Sequence, residues 1–207
     1  MISFPSATAV NRVMPKDAFY KRLSLTSEVK DRFVSDVKHI TLQNSLTATT
    51  LNLESGGKIS EILVLSIDLK KQDYDVRIVE NIARQNPHKL LFVLRYEQQE
   101  QLAVYHAKLY TSPWRQQSAT ALAVNGFTLD AIWDSFLEQI ALDNSQPETQ
   151  ITELSVEERI KQQEEKQKLE KELAKAERLA RAEKQPKKRF ELYQRVQELK
   201  KRLEGLM

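Results

Sequence analysis

The chain has 207 residues, room for one domain of about 150 residues and an appendage. Its 41% hydrophobic content supports a buried core, and the absence of cysteine removes disulfides, thiol nucleophiles, iron–sulfur clusters and Cys-ligated zinc together. The net charge of +3 is uneven: from Ser155 onward 16 Lys+Arg face 11 Asp+Glu, and before it 16 face 18, so a mildly acidic body carries a basic arm.

The opening MISFPSATAVNR has no charge before Arg12 and no long apolar run, so it does not read as a signal peptide. No stretch approaches the roughly 18 apolar residues of a membrane span. A cytoplasmic, membrane-free protein is expected.

In chain order, Pro15 suits the first turn of a short helix over Lys16–Leu23, with Phe19 and Leu23 on one side. Thr26 caps a second helix in which Val29, Phe33, Val37 and Ile40 recur at helical spacing. The period then changes. Leu46–Leu53 alternates, Ser55-Gly56-Gly57-Lys58 is a turn, and Ile59–Lys70 reads as a second strand of a hairpin. In that strand Leu63, Leu65, Ile67 and Leu69 share a core face, and Val64, Ser66, Asp68 and Lys70 a solvated one.

Asp73–Gln85 is expected to be helical, with Val76, Val79, Ile82 and Ala83 inward, stopping at Asn86-Pro87. Lys89–Glu97 and Gln101–Thr111 read as strands, and Ser118–Val124 as a further one before the turn Asn125-Gly126. Thr128 caps a helix with the apolar stripe Leu129, Ile132, Trp133, Phe136 and Ile140. The polar stretch 143–154 is expected to be a linker.

Beyond it the period is helical. Ser155-Val156-Glu157-Glu158 matches a capping box. Leu169, Leu173, Ala176 and Ala180 follow a 4-3-4 spacing, the signature of a coiled-coil seam. Gln185-Pro186 ends that helix. After Lys187-Lys188-Arg189 a second helix carries Leu192, Val196, Leu199, Leu203 and Leu206, with Gly205 as its stop. Five Glu-to-Lys/Arg pairs at i,i+4 (Glu157–Lys161, Glu164–Lys168, Glu177–Arg181, Glu191–Arg195, Glu198–Arg202) add about 0.2–0.5 kcal/mol each. The simplest arrangement is an antiparallel hairpin, roughly 45 Å and 28 Å in its two helices.

A search for chemistry yields little. Four glycines, Gly56, Gly57, Gly126 and Gly205, cannot form a Walker loop or a dinucleotide fingerprint. His39, His88 and His106 are scattered, and no Ser sits in a GxSxG elbow. Asp68 and Lys70, two apart on a strand, are placed as in Mg²⁺-dependent nucleases of the PD-(D/E)xK type, with Glu54 the nearest second acid and the usual Pro-Asp missing. An ordinary solvated strand face explains the same residues. Lys70, Arg95, His106 and Lys108 would form a basic sheet surface if their strands were neighbours.

Several stretches carry a family resemblance: MPKDAFYKRL, EILVLSIDLKK, QNPHKLLFVLRYE and EKQPKKRFELYQRVQELKKRLEGL. They resemble the bacterial domain-of-unknown-function family numbered 4391 over essentially the whole chain. The resemblance implies an accessory role, because such proteins are often encoded near DNA methyltransferases and helicases of restriction or phage-defence type. It brings no functional residues with it.

The expectation is therefore an α+β protein, with a small mixed or antiparallel sheet and flanking helices over 1–142, a linker over 143–154 and a coiled-coil-like arm of two helices over 155–207. Its expected function is that of a non-catalytic accessory or interaction subunit of a DNA-modification or anti-phage assembly, with no cofactor, metal or catalytic residue. Leu169, Leu173, Leu192, Val196, Leu199 and Leu203 are the expected partner-binding residues, toward a helicase or methyltransferase subunit or a second copy. Lys184, Lys187, Lys188 and Arg189 are the expected nucleic-acid contacts under a second reading, and a Mg²⁺-dependent nuclease is a third.

Overall fold

A computed structural model of the chain describes residues 2, 4–54, 56–142 and 155–205. It divides into two compact units, 1–147 and 148–207. The expected linker and Leu206 fall outside the described residues.

The first unit is a mixed seven-stranded sheet with flanking helices. Its elements are β1 (Ala9–Met14), α1 (Lys16–Arg22), α2 (Ser27–Asp36), β2 (Val37–Leu46), α3 (Ala48–Leu51), β3 (Ile62–Leu69), α4 (Arg77–Arg84), β4 (Lys89–Tyr96), β5 (Gln99–His106), β6 (Lys108–Thr111), β7 (Arg115–Gln116) and α5 (Leu129–Ala141). The strands lie in the order β1-β2-β3-β4-β5-β6, with β7 also beside β5. All pairs are antiparallel except β3 with β4, which the α4 crossover makes parallel.

One face of the sheet packs on α2 and α4. Val29, Phe33, Ile78, Val79 and Ile82 meet Ile40, Leu65, Ile67, Phe92 and Leu94 in a single core. The second face is also covered. Leu46, Ile62, Val64, Leu91 and Val104 are fully buried, and α5, whose apolar stripe is buried as expected, lies against β5 and β6.

Several expected elements are redrawn. Helix α2 stops at Asp36, and Val37 and Ile40 belong to β2, where pairing with β3 overrides their helical spacing. The strand expected at Leu46–Leu53 is instead the end of β2 and a short helix, because Thr47 and Thr50 form a reciprocal capping box and Asn52 turns left-handed at φ 52°. The strand facing it begins at Ile62, and its supposedly solvated Val64 and Ser66 are buried under the second layer. Helix α4 starts at Arg77, which leaves Val76 47% exposed.

The single strand expected at Gln101–Thr111 is two, folded back at Ala107, which adopts φ 58° without help from a glycine. Ser118–Val124 is not a strand. A 3-10 turn over Gln117–Ala119 precedes irregular chain in which the Gln139 amide satisfies both the N–H and the C=O of Ala123, each at 2.8 Å.

One contact needs a glycine. Gly57 sits at φ +117°, where a Cβ would lie 2.1 Å from an oxygen of Asp130, and that carboxylate accepts the Lys58 and Ile59 N–H groups at 3.1 and 3.3 Å.

The second unit is an antiparallel hairpin of α6 (Val156–Ala182) and α7 (Pro186–Glu204), so the second helix begins at Pro186 and takes in Lys187–Arg189.

Candidate functional site

The hairpin is built from strong local signals. Ser155 Oγ accepts the Glu158 N–H at 3.3 Å, and the Glu158 carboxylate accepts the Ser155 N–H at 2.9 Å. That N–H holds the Glu158 carboxyl below the usual range. Pro186 occupies the first turn of α7, where its missing N–H costs nothing.

Between the helices, Leu169, Ala176, Ala180, Val196 and Leu199 are buried, with Leu173 and Leu203 packed against them and Leu192 half-buried. The two alanines let the backbones approach closely. Glu177 ties the pair at the side, accepting from Arg181 at 3.5 Å and from Lys200 of the facing helix at 3.1 Å. Arg195 pairs with Glu198 at 3.3 Å. The residues expected to bind a partner therefore form the hairpin's own seam.

What the seam leaves outside is a different set. Phe190 is 63% exposed, Tyr193 48% and Leu179 45%. Phe190, Tyr193, Gln194, Gln197 and Glu198 line a shallow depression on the outer surface of α7. The 4-3 spacing of the leucines drew attention to the inner face, and the aromatic pair at i,i+3 was the signal for the outer one. At the turn, Lys184, Lys187, Lys188 and Arg189 are all exposed.

On the sheet, register brings charged residues into one row. Asp68 stands opposite His39 on β2 and Arg95 on β4, Arg95 opposite Glu100 on β5, and Glu100 opposite Arg115 on β7. Arg95 Nε donates to Glu100 Oε1 at 2.9 Å, and Gln43, its amide oxygen turned to the guanidinium, accepts from both terminal nitrogens at 3.1 and 3.0 Å. Glu100 is 3% exposed, and its Oε2 has no partner among the described residues. Glu100 and Gln43 were invisible to motif reading, because only strand register places them here.

Glu54 precedes Ile62, the first residue of β3, and Asp68 lies roughly 20 Å further along that strand. Lys70 donates its amine to the Val34 carbonyl at 2.8 Å. Among the described residues no three His, Asp or Glu side chains gather as metal ligands. The basic sheet face is divided, since His106 and Lys108 face each other at the β5–β6 turn, the opposite end of β5 from Glu100.

A mixed α/β domain followed by an antiparallel helical hairpin defines the class. The chain belongs to the family DUF4391, a domain of unknown function, whose family model matches residues 2–203. No curated protein and no solved structure matches it. No helix among the described residues is long and apolar enough to cross a membrane.

Proposed function

We propose that the chain is a non-catalytic accessory subunit of a bacterial DNA-modification or anti-phage defence assembly, which it joins through the α6–α7 hairpin. The observation that carries this reading is the apolar set Leu179, Phe190 and Tyr193, exposed on a hairpin whose seam is already filled. Aromatic residues such as Phe190 and Tyr193 are typical interface anchors, and a charged helical hairpin has no folding use for them outside. Leu169, Leu173, Leu192, Val196, Leu199 and Leu203 serve association by holding that surface in shape. The DNA-related setting and the helicase or methyltransferase partner rest on the family resemblance alone.

The test is co-purification of the tagged full chain with co-expressed methyltransferase and helicase subunits. Leu199→Asp with Leu203→Asp opens the hairpin and abolishes retention while the sheet stays folded. Equal retention by wild type and variant overturns the reading.

A second reading, nucleic-acid contact, is favoured by the four exposed cations at the hairpin turn. If all four met phosphate, log affinity would fall against log salt with a slope of about −3 to −4. An affinity insensitive to salt rules it out. A Mg²⁺-dependent nuclease centred on Asp68 has less support, because the Lys70 amine donates to the Val34 carbonyl. Cleavage of plasmid DNA with Mg²⁺ that Asp68→Ala removes would favour it.

A further inference from the structure

Lys187, Phe190, Gln194, Gln197, Lys201 and Glu204 recur at 3-4-3-4-3 along α7 and are all exposed. This stripe is displaced by two residues from the seam of Leu192, Val196, Leu199 and Leu203, which is about 200° round the helix, so it points away from α6. Lys187, Lys201 and Glu204 have no ionic partner in their own chain among the described residues.

The stripe is complementary to itself when read backwards. Placed antiparallel about a two-fold axis between Gln194 and Gln197, it sets Lys187 against Glu204 of the other copy. The same operation sets Phe190 against Lys201, Gln194 against Gln197 and Tyr193 against Glu198. These are an ion pair, a cation–π contact, an amide–amide pair and a phenol–carboxylate hydrogen bond, each occurring twice. A parallel arrangement would set Lys187 on Lys187 and Lys201 on Lys201, so like-charge repulsion selects the antiparallel one.

We propose that the outer face of α7 is the docking site for a second copy of this chain, the two hairpins pairing α7 to α7 in antiparallel fashion, with each α6 on the far side. This rests on the reading of the hairpin as an association element and names the occupant of its exposed ridge. The depression lined by Phe190, Tyr193, Gln194, Gln197 and Glu198 lies on the two-fold axis of that pairing. A nucleic-acid strand on the same face would bring phosphate against Glu198 and Glu204, which disfavours it.

The test is light scattering of the full-length protein over a concentration series, at low and high salt. Wild type forms a dimer, twice the 24.0 kDa chain, that weakens as salt rises. Lys187→Glu, and Glu204→Lys separately, each create two like-charge contacts and raise the dissociation constant by more than about tenfold. The two substitutions together restore the dimer to within about threefold of wild type. An acid near the first turn and a base near the last both favour the helix, so loss of the dimer in either single variant is not unfolding. A wild-type monomer at every concentration overturns the proposal, as does a single variant that dimerises normally or a double variant that does not recover. Failure here is separable from failure of the accessory role. A wild-type monomer that still retains a co-expressed subunit through an intact hairpin overturns only the dimer, and a rescued dimer that retains no subunit overturns only the accessory role.

Discussion

Asp36 and Lys71 form an ion pair of 2.9 Å in which the carboxylate is fully buried and the lysine remains 42% exposed. Asp36 ends α2 and Lys71 follows β3, so the pair fastens the helical layer to the central strand. Ser35 Oγ donates to the same carboxylate at 2.6 Å and the Asp75 N–H at 3.0 Å. Burial pushes the Asp36 carboxyl up, but these donors together outweigh it and hold it below the ordinary carboxylate value. A folded-state pKa below the unfolded one contributes stability above the unfolded value, lost as pH falls through the folded value. Asp75, lowered chiefly by Arg77, acts with the same sign. Lys71→Ala removes one donor and the neighbouring charge, so the acid-unfolding midpoint, followed by circular dichroism, moves to higher pH. An unchanged midpoint contradicts this account of the junction.

Gly57 holds a conformation and a clearance that no side chain shares. Gly57→Ala forces either the backbone or Asp130 to move, breaking the hydrogen bonds to Lys58 and Ile59, and costs about 1–3 kcal/mol. Gly56, with open space around its Cβ position, is the control for clearance. Urea unfolding of the two variants separates the effects.

Arg95 is the cation that neutralises a carboxylate only 3% exposed. Arg95→Ala leaves Glu100 buried and unpaired, at a cost of about 2–4 kcal/mol after allowance for the exposure of the arginine. Replacing both by apolar residues, Arg95→Met with Glu100→Leu, recovers most of that loss. Chemical denaturation of the single and double variants checks the ordering. A double variant less stable than Arg95→Ala contradicts it.

Leu199, 2% exposed, sits in the middle of the hairpin seam. Leu199→Asp with Leu203→Asp places charge there at a cost on the order of 3–5 kcal/mol, more than an isolated two-helix contact holds. The helical signal of the 27- and 19-residue segments falls, while the near-ultraviolet signal of Trp133 in the sheet domain persists. A fully retained helical signal contradicts the assignment of the seam.

Where a local signal was strong, the sequence was readable. Thr128 caps α5, Ser155 opens α6, and the 4-3 leucines form the inter-helix seam, because capping chemistry and helical period act within a few residues. Non-local pairing decided the rest. Val37 and Ile40 carry helical spacing yet join β2, since pairing with β3 outweighs propensity. Val64 and Ser66 alternate like a solvated face, yet a second layer covers them. The sheet row was half legible: Asp68 and Arg95 stood out, while Glu100 and Gln43 needed the register. On the arm, the leucine pattern marks the seam between α6 and α7, and burial there removes those apolar residues from the surface.

The most direct measurement is retention of co-expressed methyltransferase and helicase subunits by the tagged full chain, comparing wild type with Leu199→Asp/Leu203→Asp. Retention by wild type and loss by the variant, with the sheet still folded, is the expected result. Equal retention by both, or retention by neither, would contradict the assignment of the hairpin as the means by which this subunit joins an assembly.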